Sequence, residues 1–485
     1  MVEDLWRDGL IHDHMDALHE LGWSALATPG IAAVDREPLR YTKVALGRAA
    51  GGVCRAGGGG GTAHPGRVLL RLAPDAIGRL GRQLAGGSTL VGGTNGKTTT
   101  AGLLAGILRA AGREPVHNRA GANAHWGIAT ALVEQTGGEG LFEVDEAWLP
   151  LMAAELDARL VVLLNLSRDR LDCYGELERV ATAWRDALTG RSDGPGLVLN
   201  ADDPIVAELG HGAQVTWFGI EDESAAAAAV GRNDAPLCRR CGEHYVLERV
   251  FIGHSGHYGC AGCGAARPRP DVAAVRVRPD GLSGTDLRLR TPLGEIETRL
   301  RLPGLYNVYN AVAAAAAAIR LGVRREPIAR GLASAGPVFG RGERVEVPNG
   351  EVWIFLAKNP TGTDQVLRTL DEASGGSPVD MWIALNDDYP DGRDVSWIWD
   401  ANYEEYAGVV RSVTCSGTRA AELGVRLKYA GWPADRIEVD AAIDRSLDRA
   451  LTRAAGPLFA LPTYTAMLEL RVLLSRRGHV PDYWR

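Results

Sequence analysis

The sequence predicts an α/β protein with a central phosphate-binding domain, an inserted zinc ribbon of four cysteines, and a second α/β domain at its C-terminal end. Three observations support this prediction. From Ser88 onward, short apolar runs alternate with stretches of helical period, which is typical of parallel sheets. A glycine-rich loop containing Lys97 follows the first apolar run. Two closely spaced pairs of cysteines interrupt the alternation further along the chain.

Length and composition limit the class of protein. A chain of 485 residues is too long for one hydrophobic core, so we expect two or three domains. Hydrophobic residues make up 46% of the chain and charged residues 23%, as in ordinary globular proteins. The formal net charge of −7 argues against a nucleic-acid binder, because binding to a phosphate backbone requires a basic surface.

The sequence has no pattern of a secreted or membrane-spanning protein. Its start carries the acidic pair Glu3 and Asp4, and it lacks the basic beginning and the apolar core of a signal peptide. The longest apolar stretch, around residues 311–319, is far shorter than the roughly 20 residues of a spanning helix. We therefore expect a cytoplasmic protein without a transmembrane segment.

Changes of pattern divide the chain into three regions. Residues 1–85 form an N-terminal segment with a glycine-rich loop at residues 49–61. Residues 86–336 form the central domain, with an insert at about residues 232–270, and residues 337–485 form the second α/β domain. The expected strands are residues 90–91, 141–144, 161–166, 197–199, 352–356, 381–385, 409–414 and 458–461. An alanine-rich helix is expected from about Tyr309 to Leu321.

The loop at residues 92–100, with the sequence GGTNGKTTT, predicts a site for the phosphates of ATP. Backbone N–H groups of such a loop bind phosphate oxygens, Lys97 supplies a positive charge, and the Thr98 hydroxyl coordinates magnesium. Val91 stands where a strict Walker A motif has glycine. A glycine-rich turn with an incidental lysine is the alternative. The predicted ATP-binding residues of the loop are Gly93, Thr94, Asn95, Gly96, Lys97, Thr98 and Thr99.

Three carboxylates at the end of the next predicted strand are candidate magnesium ligands. Glu143, Asp145 and Glu146 offer the oxygen atoms that Mg²⁺ prefers. A solvated acidic loop is the alternative interpretation.

The two pairs of cysteines predict a structural zinc site. Cys238-x-x-Cys241 and Cys260-x-x-Cys263 are separated by eighteen residues, and a glycine follows each pair. Four thiolates complete a tetrahedral shell, so a catalytic position is not left open. His244, His254 and His257 are alternative ligands close by in the sequence. The remaining cysteines, Cys54, Cys173 and Cys415, are interpreted as ordinary thiols.

These motifs, in this order, resemble the Mur ligase superfamily. The glycine loop resembles the GTNGKTT loop of Mur ligases and folylpolyglutamate synthetases. Residues 142–146 resemble the EADES-like element of Mur ligases, which implies Glu146 as the magnesium ligand. Residues 304–310 resemble the GxHNxxN element near the adenine, and residues 340–344 resemble the GRxE element. These two matches imply Asn307 and Arg341 as ATP-binding residues. Residues 165–175 and 200–204 resemble the NVTxDHLDxYG and NADDP segments, so that the resemblance covers roughly residues 88–345.

The sequence departs from the superfamily at two positions. Arg170 stands where many Mur ligases have a metal-binding histidine, and Trp184 falls about where they carry a carbamoylated lysine. The second magnesium site of those enzymes must therefore be organised differently in this chain.

The last domain resembles one family within the superfamily. Residues 355–362 replace the DYAHNP-like element, and residues 385–400 closely resemble the C-terminal domain of the MurT family. This resemblance implies ATP-dependent amidation of the D-glutamate α-carboxylate of lipid II to D-isoglutamine through an acyl phosphate, at the inner face of the cell membrane. We assign Asp394 as the catalytic residue that orients ammonia or accepts its proton. The alternatives are Asp387, Asp388, Asp391 and Asp400.

A partner protein is expected to supply the ammonia. None of the isolated cysteines lies in the G-x-C-x-G turn of a glutaminase nucleophile. The resemblance implies a heterodimer with a GatD-like class I glutaminase. Two other functions remain open from the sequence: a folylpolyglutamate or amino-acid-adding ligase, and a nucleotide-switched binding protein without acyl transfer.

Overall fold

Two large sheets organise the part of the chain that the structure describes. This computed structural model describes residues 63–118, 121–135, 137–169, 177–190, 193–210, 214–227, 233–336, 340–348 and 350–481. The glycine-rich loop at residues 49–61, Cys54, Arg170 and Cys173 lie outside these ranges, and so does most of the segment 1–85.

The first sheet has nine strands and carries the glycine loop. Its strand order is β11-β10-β9-β6-β5-β4-β1-β3-β2, and the strands from β2 to β9 in this order are parallel. β9, β10 and β11 form an antiparallel extension that the sequence pattern did not predict. The strands are β1 (Ser88–Gly92), β2 (Val116–His117), β3 (Gly140–Glu143), β4 (Leu160–Leu163), β5 (Gly196–Asn200), β6 (Val215–Ile220), β9 (Val272–Pro279), β10 (Thr285–Thr291) and β11 (Gly294–Leu300). The ribbon strands β7 (Tyr245–Ile252) and β8 (Ser255–Cys260) form a separate antiparallel hairpin.

The position of β1 determines where the site lies. β1 pairs with β3 on one side and β4 on the other, so the chain direction across the sheet reverses at β1. Ligands of open α/β sheets bind beyond the carboxyl ends of the strands at such a point. Val91 lies opposite Glu143, which places the glycine loop and the acidic residues at the same edge.

Helices cover both faces of this sheet. They are α1 (His64–Leu72), α2 (Ala76–Gly81), α3 (Lys97–Ala110), α4 (His125–Glu134), α5 (Leu149–Glu155), α6 (Leu177–Leu188), α7 (Pro204–Glu208), α8 (Leu305–Arg320) and α9 (Arg325–Ser334).

The alanine-rich helix begins earlier than its composition predicted. α8 starts at Leu305, after Gly304 with a φ angle of 88°, whereas the alanine run indicated a start near Tyr309. Its first turn contains no alanine and was therefore not part of the alanine run. Residues 311–318 are all alanine or valine, and they are fully buried against the sheet and α3. Small side chains allow this close packing.

The second sheet has six strands and lies in the C-terminal part of the chain. Its order is β12-β13-β17-β14-β15-β16, and only the β12–β13 pair of the described strands in it is antiparallel. The strands are β12 (Arg341–Val347), β13 (Gly350–Phe355), β14 (Val379–Ala384), β15 (Val410–Ser416), β16 (Ile437–Val439) and β17 (Leu458–Pro462). The helices are α10 (Pro360–Ser374), α11 (Ala420–Tyr429), α12 (Ile443–Arg453) and α13 (Tyr464–Arg476). The four strands predicted in this region correspond to β13, β14, β15 and β17.

Among the described helices, none combines the length and the apolar character needed to cross a bilayer.

Candidate active site

The glycine loop is a tight turn between β1 and α3. Gly93 and Gly96 have φ angles of 139° and 90°, a region that side chains rarely adopt. A Cβ atom at Gly96 would lie 2.1 Å from Asn310 Oδ1, so glycine is required there for packing as well. The N-terminal end of α3 therefore faces the adjoining cavity, as in sites that bind phosphate.

Two residues after β4 hold this loop in place. Asn165 Oδ1 accepts a hydrogen bond from the Asn95 N–H at 2.9 Å, and its Nδ2 donates to the Asn95 carbonyl at 3.0 Å. The Thr94 hydroxyl exchanges hydrogen bonds with the backbone of Ser167, at 3.1 and 3.2 Å. The segment that resembles NVTxDHLDxYG thus braces the loop backbone through its first residues.

Lys97 is buried and ion-paired. Its Nζ lies 3.0 Å from Glu146 Oε2 and donates to the Gly93 carbonyl at 2.6 Å. Burial opposes the charged form of the amine most strongly, but the nearby carboxylates, Glu146 first among them, together outweigh it and raise the pKa of Lys97. The loop therefore presents a permanent positive charge at the cavity.

Glu143 is the buried carboxylate of the site without a hydrogen-bond partner among the described residues. It lies at the end of β3, is 1% exposed, and lines the cavity. Burial raises the pKa of Glu143, although Arg341 and Thr98 lie close enough to oppose this effect. An unpaired buried carboxylate is costly unless a cation binds to it. The arrangement favours a metal ion or a proton at Glu143.

Trp184 supports the acidic segment instead of carrying a charge. Its side chain is fully buried, and its indole N–H donates to the Glu146 carbonyl at 2.9 Å. Trp184, which falls about where the resembling Mur ligases carry a modified lysine, therefore fixes the backbone of Glu146 in this chain.

The C-terminal region reaches the glycine loop directly. Asn359 caps α10 by accepting a hydrogen bond from the Gly362 N–H, and its Nδ2 donates to Asn95 Oδ1 at 3.0 Å. Lys358 forms an ion pair with Asp169, which lies on the central side. Both residues belong to the element that replaces DYAHNP, and neither was among the predicted site residues.

A cavity of about 480 Å³ lies between the two sheets, within the range of ~300–1,000 Å³ that is usual for small-molecule sites. Glu143, Asp145 and Glu146 line it together with most of the predicted ATP-binding residues. Those that line it are Thr94, Asn95, Gly96, Lys97, Thr98, Thr99 and Arg341. Gly93 and Asn307 are not among the lining residues.

Asn307 lies behind the lining rather than in it. Its Nδ2 donates to the Pro303 carbonyl at 2.7 Å, and its Oδ1 accepts from Asn310 at 3.1 Å. Asn310 does line the cavity, and it accepts a hydrogen bond from Thr100 at 3.2 Å. Asn307 therefore supports Asn310, and the second asparagine of the GxHNxxN-like element is the one that reaches the cavity.

The five aspartates of residues 385–400 differ in their surroundings. Asp394 is exposed, and its pKa is lowered by hydrogen bonds from Ser396. Asp391 is buried and accepts hydrogen bonds from the backbone and hydroxyl of Thr465. Burial raises its pKa to about 6. Pro390 and Tyr464, each adjacent to one partner of this pair, line the cavity, whereas Asp394 does not.

Asp387 is already paired, which separates it from the other candidates. Its carboxylate accepts hydrogen bonds from Thr418 at 2.8 Å and Arg419 at 2.9 Å. The pKa of Asp387 is lowered because these contacts outweigh its partial burial. Asp388 is partly buried and Asp400 is exposed.

The four cysteines of the ribbon meet at the base of its hairpin. The sulfur atoms of Cys238, Cys241, Cys260 and Cys263 all lie within 4.8 Å of one another. The chain turns in the same way after each pair: Gly242 N–H donates to the Cys238 carbonyl, and Gly264 N–H donates to the Cys260 carbonyl. Both glycines have positive φ angles, 81° and 70°. This explains why a glycine follows each pair.

Comparisons with known proteins agree with this architecture. The family described as Mur ligase middle domain matches residues 91–237, and the family described as MurT ligase C-terminal matches residues 356–467. A pseudomurein peptide ligase type C from Methanothermus fervidus shares the fold, with a TM-score of 0.64 at 24% identity over 82% of this chain and 80% of that one. MurF from Acinetobacter baumannii has a TM-score of 0.59 at 17% identity over 82% and 80%.

Two curated relatives align over nearly their whole length. The protein named lipid II isoglutaminyl synthase (glutamine-hydrolyzing) subunit MurT from Streptococcus pneumoniae is 32% identical over 86% of this chain and 93% of its own. The protein of the same name from Staphylococcus aureus is 29% identical over 90% of this chain and 98% of its own. The glycine loop, the cysteine ribbon and the C-terminal sheet thus occur in a chain that belongs to the MurT family of Mur ligases.

Proposed function

We propose that this chain is the ligase subunit that amidates the D-glutamate α-carboxylate of lipid II to D-isoglutamine, using ATP and ammonia. The chain is a ligase that forms a carbon–nitrogen bond, as its membership of the family implies. The main support for this proposal is one cavity. Buried Lys97 and the carboxylate of Glu143 lie on one side of it, and the C-terminal region forms the other wall. This arrangement suits a phosphate donor on one side and a carboxylate acceptor on the other.

The chain's own residues would bind and neutralise the triphosphate. The N–H groups of residues 96–98 would bind the phosphate oxygens, because those of Thr94 and Asn95 already donate to Asn165. Lys97 supplies a charge where negative charge develops. Arg341 lines the same cavity and adds a second cation. We propose Gly93, Thr94, Asn95, Gly96, Lys97, Thr98, Thr99, Asn307 and Arg341 as the ATP site, with Asn307 acting through Asn310.

Thr98 and Glu143 fit a magnesium ion better than Thr98 and Glu146. Glu146 is engaged by Lys97, whereas the carboxylate oxygens of Glu143 have no hydrogen-bond partner among the described residues. Magnesium, when bound there, would reduce the negative charge of the reacting phosphates. We therefore propose Glu143 as the principal carboxylate ligand, and Glu146 as the residue that orients Lys97.

The reaction has two steps that balance without a redox partner. A carboxylate oxygen of the substrate attacks the γ-phosphorus of ATP, the bond from this phosphorus to the β-γ bridging oxygen breaks, and ADP leaves. The nitrogen of ammonia then attacks the acyl carbon, and phosphate leaves with the electrons of the carbon–oxygen bond. The nitrogen loses one proton to a base, for which we retain Asp394, with Asp391 as the competitor that lies next to the cavity lining.

We propose that the ribbon binds one structural zinc ion. A tetrahedral Zn–S site with bonds of about 2.3 Å places sulfur atoms about 3.8 Å apart. The pairs Cys238–Cys263 and Cys241–Cys260 are 3.6 and 3.4 Å apart, close to this value. Metal analysis should find about one zinc per chain, and Cys260→Ser should abolish its binding.

We also propose a glutaminase partner and a place of action. The names of the relatives contain "glutamine-hydrolyzing" and "subunit", which supports an ammonia-supplying partner of the GatD-like type. A lipid-linked substrate supports action at the inner face of the cell membrane. The two sheets support the division into a central domain of residues 86–336 and a C-terminal domain of residues 337–485.

High-resolution mass spectrometry of lipid II tests the proposed function. The protein is incubated with lipid II, ATP, magnesium and ammonium chloride, and conversion of a carboxylate to an amide is followed as the replacement of OH by NH₂. Fragmentation should locate the amide on the D-glutamate residue. Product that carries an added amino acid, or ATP consumption without any product, would contradict the proposal.

A further inference from the structure

The ribbon extends from its cysteines to the cavity. The cysteines lie at the base of the β7–β8 hairpin, where Tyr245 pairs with Cys260, and the turn Gly253-His254 lies at the other end. Strand geometry of ~3.3 Å per residue separates these ends by about 20 Å. The residues of this turn and its flanks, Ile252, Gly253, His254 and Ser255, line the same cavity as the glycine loop. We refer to these four residues as the ribbon tip.

The ribbon tip is held by the two aspartates that follow β5. His254 Nε2 lies 3.1 Å from Asp203 Oδ2, and both side chains are almost fully buried. The Gly256 N–H donates to the Asp202 carbonyl at 2.8 Å. Asp203 also caps α7 and accepts a hydrogen bond from the Leu166 N–H at 2.9 Å. One turn of the central sheet therefore fixes both the tip and the segment that braces the glycine loop.

A second network joins this turn to the cavity lining. Asp202 accepts hydrogen bonds from the Tyr309 hydroxyl at 2.7 Å and from Arg267 at 2.5 Å. Tyr309 lines the cavity, and Arg267 follows the second pair of cysteines in the sequence. The position of Tyr309 is thus connected to the base of the ribbon as well as to its tip.

Helix α10 of the C-terminal region also contacts the ribbon next to its tip. Arg368 of α10 donates to the Phe251 carbonyl and to the Ala225 carbonyl, both at 3.0 Å. Val366, on the same helix, lines the cavity. Ile252 packs against the core cluster that contains Phe218 and Tyr309. Ile252 and Val366 therefore give the cavity an apolar lining beside the tip, in contrast to the charged groups around Lys97.

We propose that the ribbon tip forms one wall of the site for the nucleoside part of ATP, that His254 positions this wall, and that zinc at the cysteines thereby increases the affinity for ATP. This inference rests on the proposed ATP site. The glycine loop anchors the phosphates, so the base and ribose must extend to another part of the cavity. Apolar walls with few polar groups are what a purine base requires.

The test compares ligands with and without a nucleoside. Binding of ATP and of inorganic triphosphate to the zinc-loaded chain is measured by isothermal titration calorimetry in excess magnesium. His254→Ala should weaken ATP binding about 3- to 30-fold, as expected when one polar contact that positions the wall is lost, and leave triphosphate binding unchanged. His254→Gln retains a donor at the position of Nε2 and should restore most of the affinity. His244→Ala, an exposed histidine of the same ribbon, is the matched control and should change neither ligand.

Zinc removal provides the second arm of the test. A zinc-selective chelator followed by return of magnesium should weaken ATP binding, and added zinc should restore it. Unchanged ATP affinity in both His254→Ala and the zinc-free chain would overturn the inference. Equal weakening of ATP and triphosphate would also overturn it, because it would indicate a general disturbance of the site.

Two further variants keep the outcome decisive. If His254→Ala fails to fold, binding of ATP and triphosphate is compared in Ile252→Ala instead. This variant leaves the His254–Asp203 pair in place. Lys97→Ala should weaken both ATP and triphosphate, since it acts on the phosphates. Unchanged binding of both ligands in Lys97→Ala would contradict the ATP site itself. Unchanged ATP binding in the ribbon variants alone would contradict only the role of the tip.

Discussion

The indole N–H of Trp184 donates to the main-chain carbonyl of Glu146 at 2.9 Å, and Glu146 in turn pairs with Lys97. A neutral side chain thus controls the position of the charged pair through the backbone. Loss of this contact should therefore affect both the stability of the chain and its use of ATP.

Trp184→Phe tests this control. The variant leaves the buried Glu146 carbonyl without its donor, which should lower the free energy of unfolding by about 1–3 kcal/mol. It should also raise the KM for ATP, because the Lys97–Glu146 pair is no longer fixed. Trp432→Phe is a matched control, since Trp432 donates to the Tyr403 carbonyl at 2.9 Å in the other sheet. A KM for ATP that rises equally in both variants would contradict the specific role of Trp184.

Lys97→Ala should lose ATP-dependent product and also destabilise the protein. It leaves Glu146 buried without its cation, and breaking one partner of a buried pair costs about 3–5 kcal/mol. Adding Glu146→Gln in the same chain should recover most of the stability, as measured by urea denaturation, without recovering ATP binding. Recovery of ATP binding in the double variant would show that Lys97 serves only the fold.

Glu143→Gln should raise the magnesium concentration needed for half-maximal amidation. The substitution removes the charge that a divalent cation requires, while the unfolding free energy should stay equal or increase, because a neutral amide is less costly to bury. Glu146→Gln provides the direct comparison. If Glu146→Gln shifts the magnesium dependence and Glu143→Gln does not, Glu146 is the ligand, as the family motif implied.

Asp394→Asn should lower the amidation rate about 10²- to 10⁴-fold with ammonium chloride as the nitrogen source, if Asp394 is the base. ATP binding should remain, because the loss concerns the transfer step. Asp400→Asn, the other exposed aspartate of the segment and itself an alternative base, is the comparison. A near-normal rate in Asp394→Asn together with a strong loss in Asp391→Asn would assign the role to Asp391.

Glu155→Gln should stabilise the protein at neutral and alkaline pH but not in acid solution. Burial, assisted by the nearby Asp75 carboxylate, raises the pKa of Glu155 from 4.5 to about 7 in the folded chain. The cost of the ionised carboxylate is therefore fully present above the folded pKa, decreases as the pH falls towards the unfolded value, and disappears below it. The gain should be about 1–3 kcal/mol near pH ~8 and small near pH ~5. Equal urea midpoints for the variant and the parent near pH ~8 would contradict this prediction.

The sequence determined the chemistry that short segments carry. Residues 92–100 define a phosphate loop because its glycines, lysine and threonine are adjacent in the chain. The cysteine pairs, each followed by a glycine, define a ribbon for the same reason, and their four sulfur atoms do converge. The strands of the second sheet that have apolar runs were predicted as well. β9, β10 and β11 were missed because charged residues interrupt their apolar positions.

The tertiary structure decided which side chains are paired and which are buried. The sequence offered Glu143 and Glu146 as candidate magnesium ligands and its family resemblance favoured Glu146, but Lys97 forms its ion pair with Glu146 and not with Glu143. Asp391 and Asp394 are three positions apart, yet one is buried against Thr465 and the other is exposed. Ion pairing and burial depend on side chains that distant elements bring together. The sequence pattern within one segment therefore cannot predict them. The same reason explains why the approach of the ribbon tip to the nucleotide cavity emerged only from the fold.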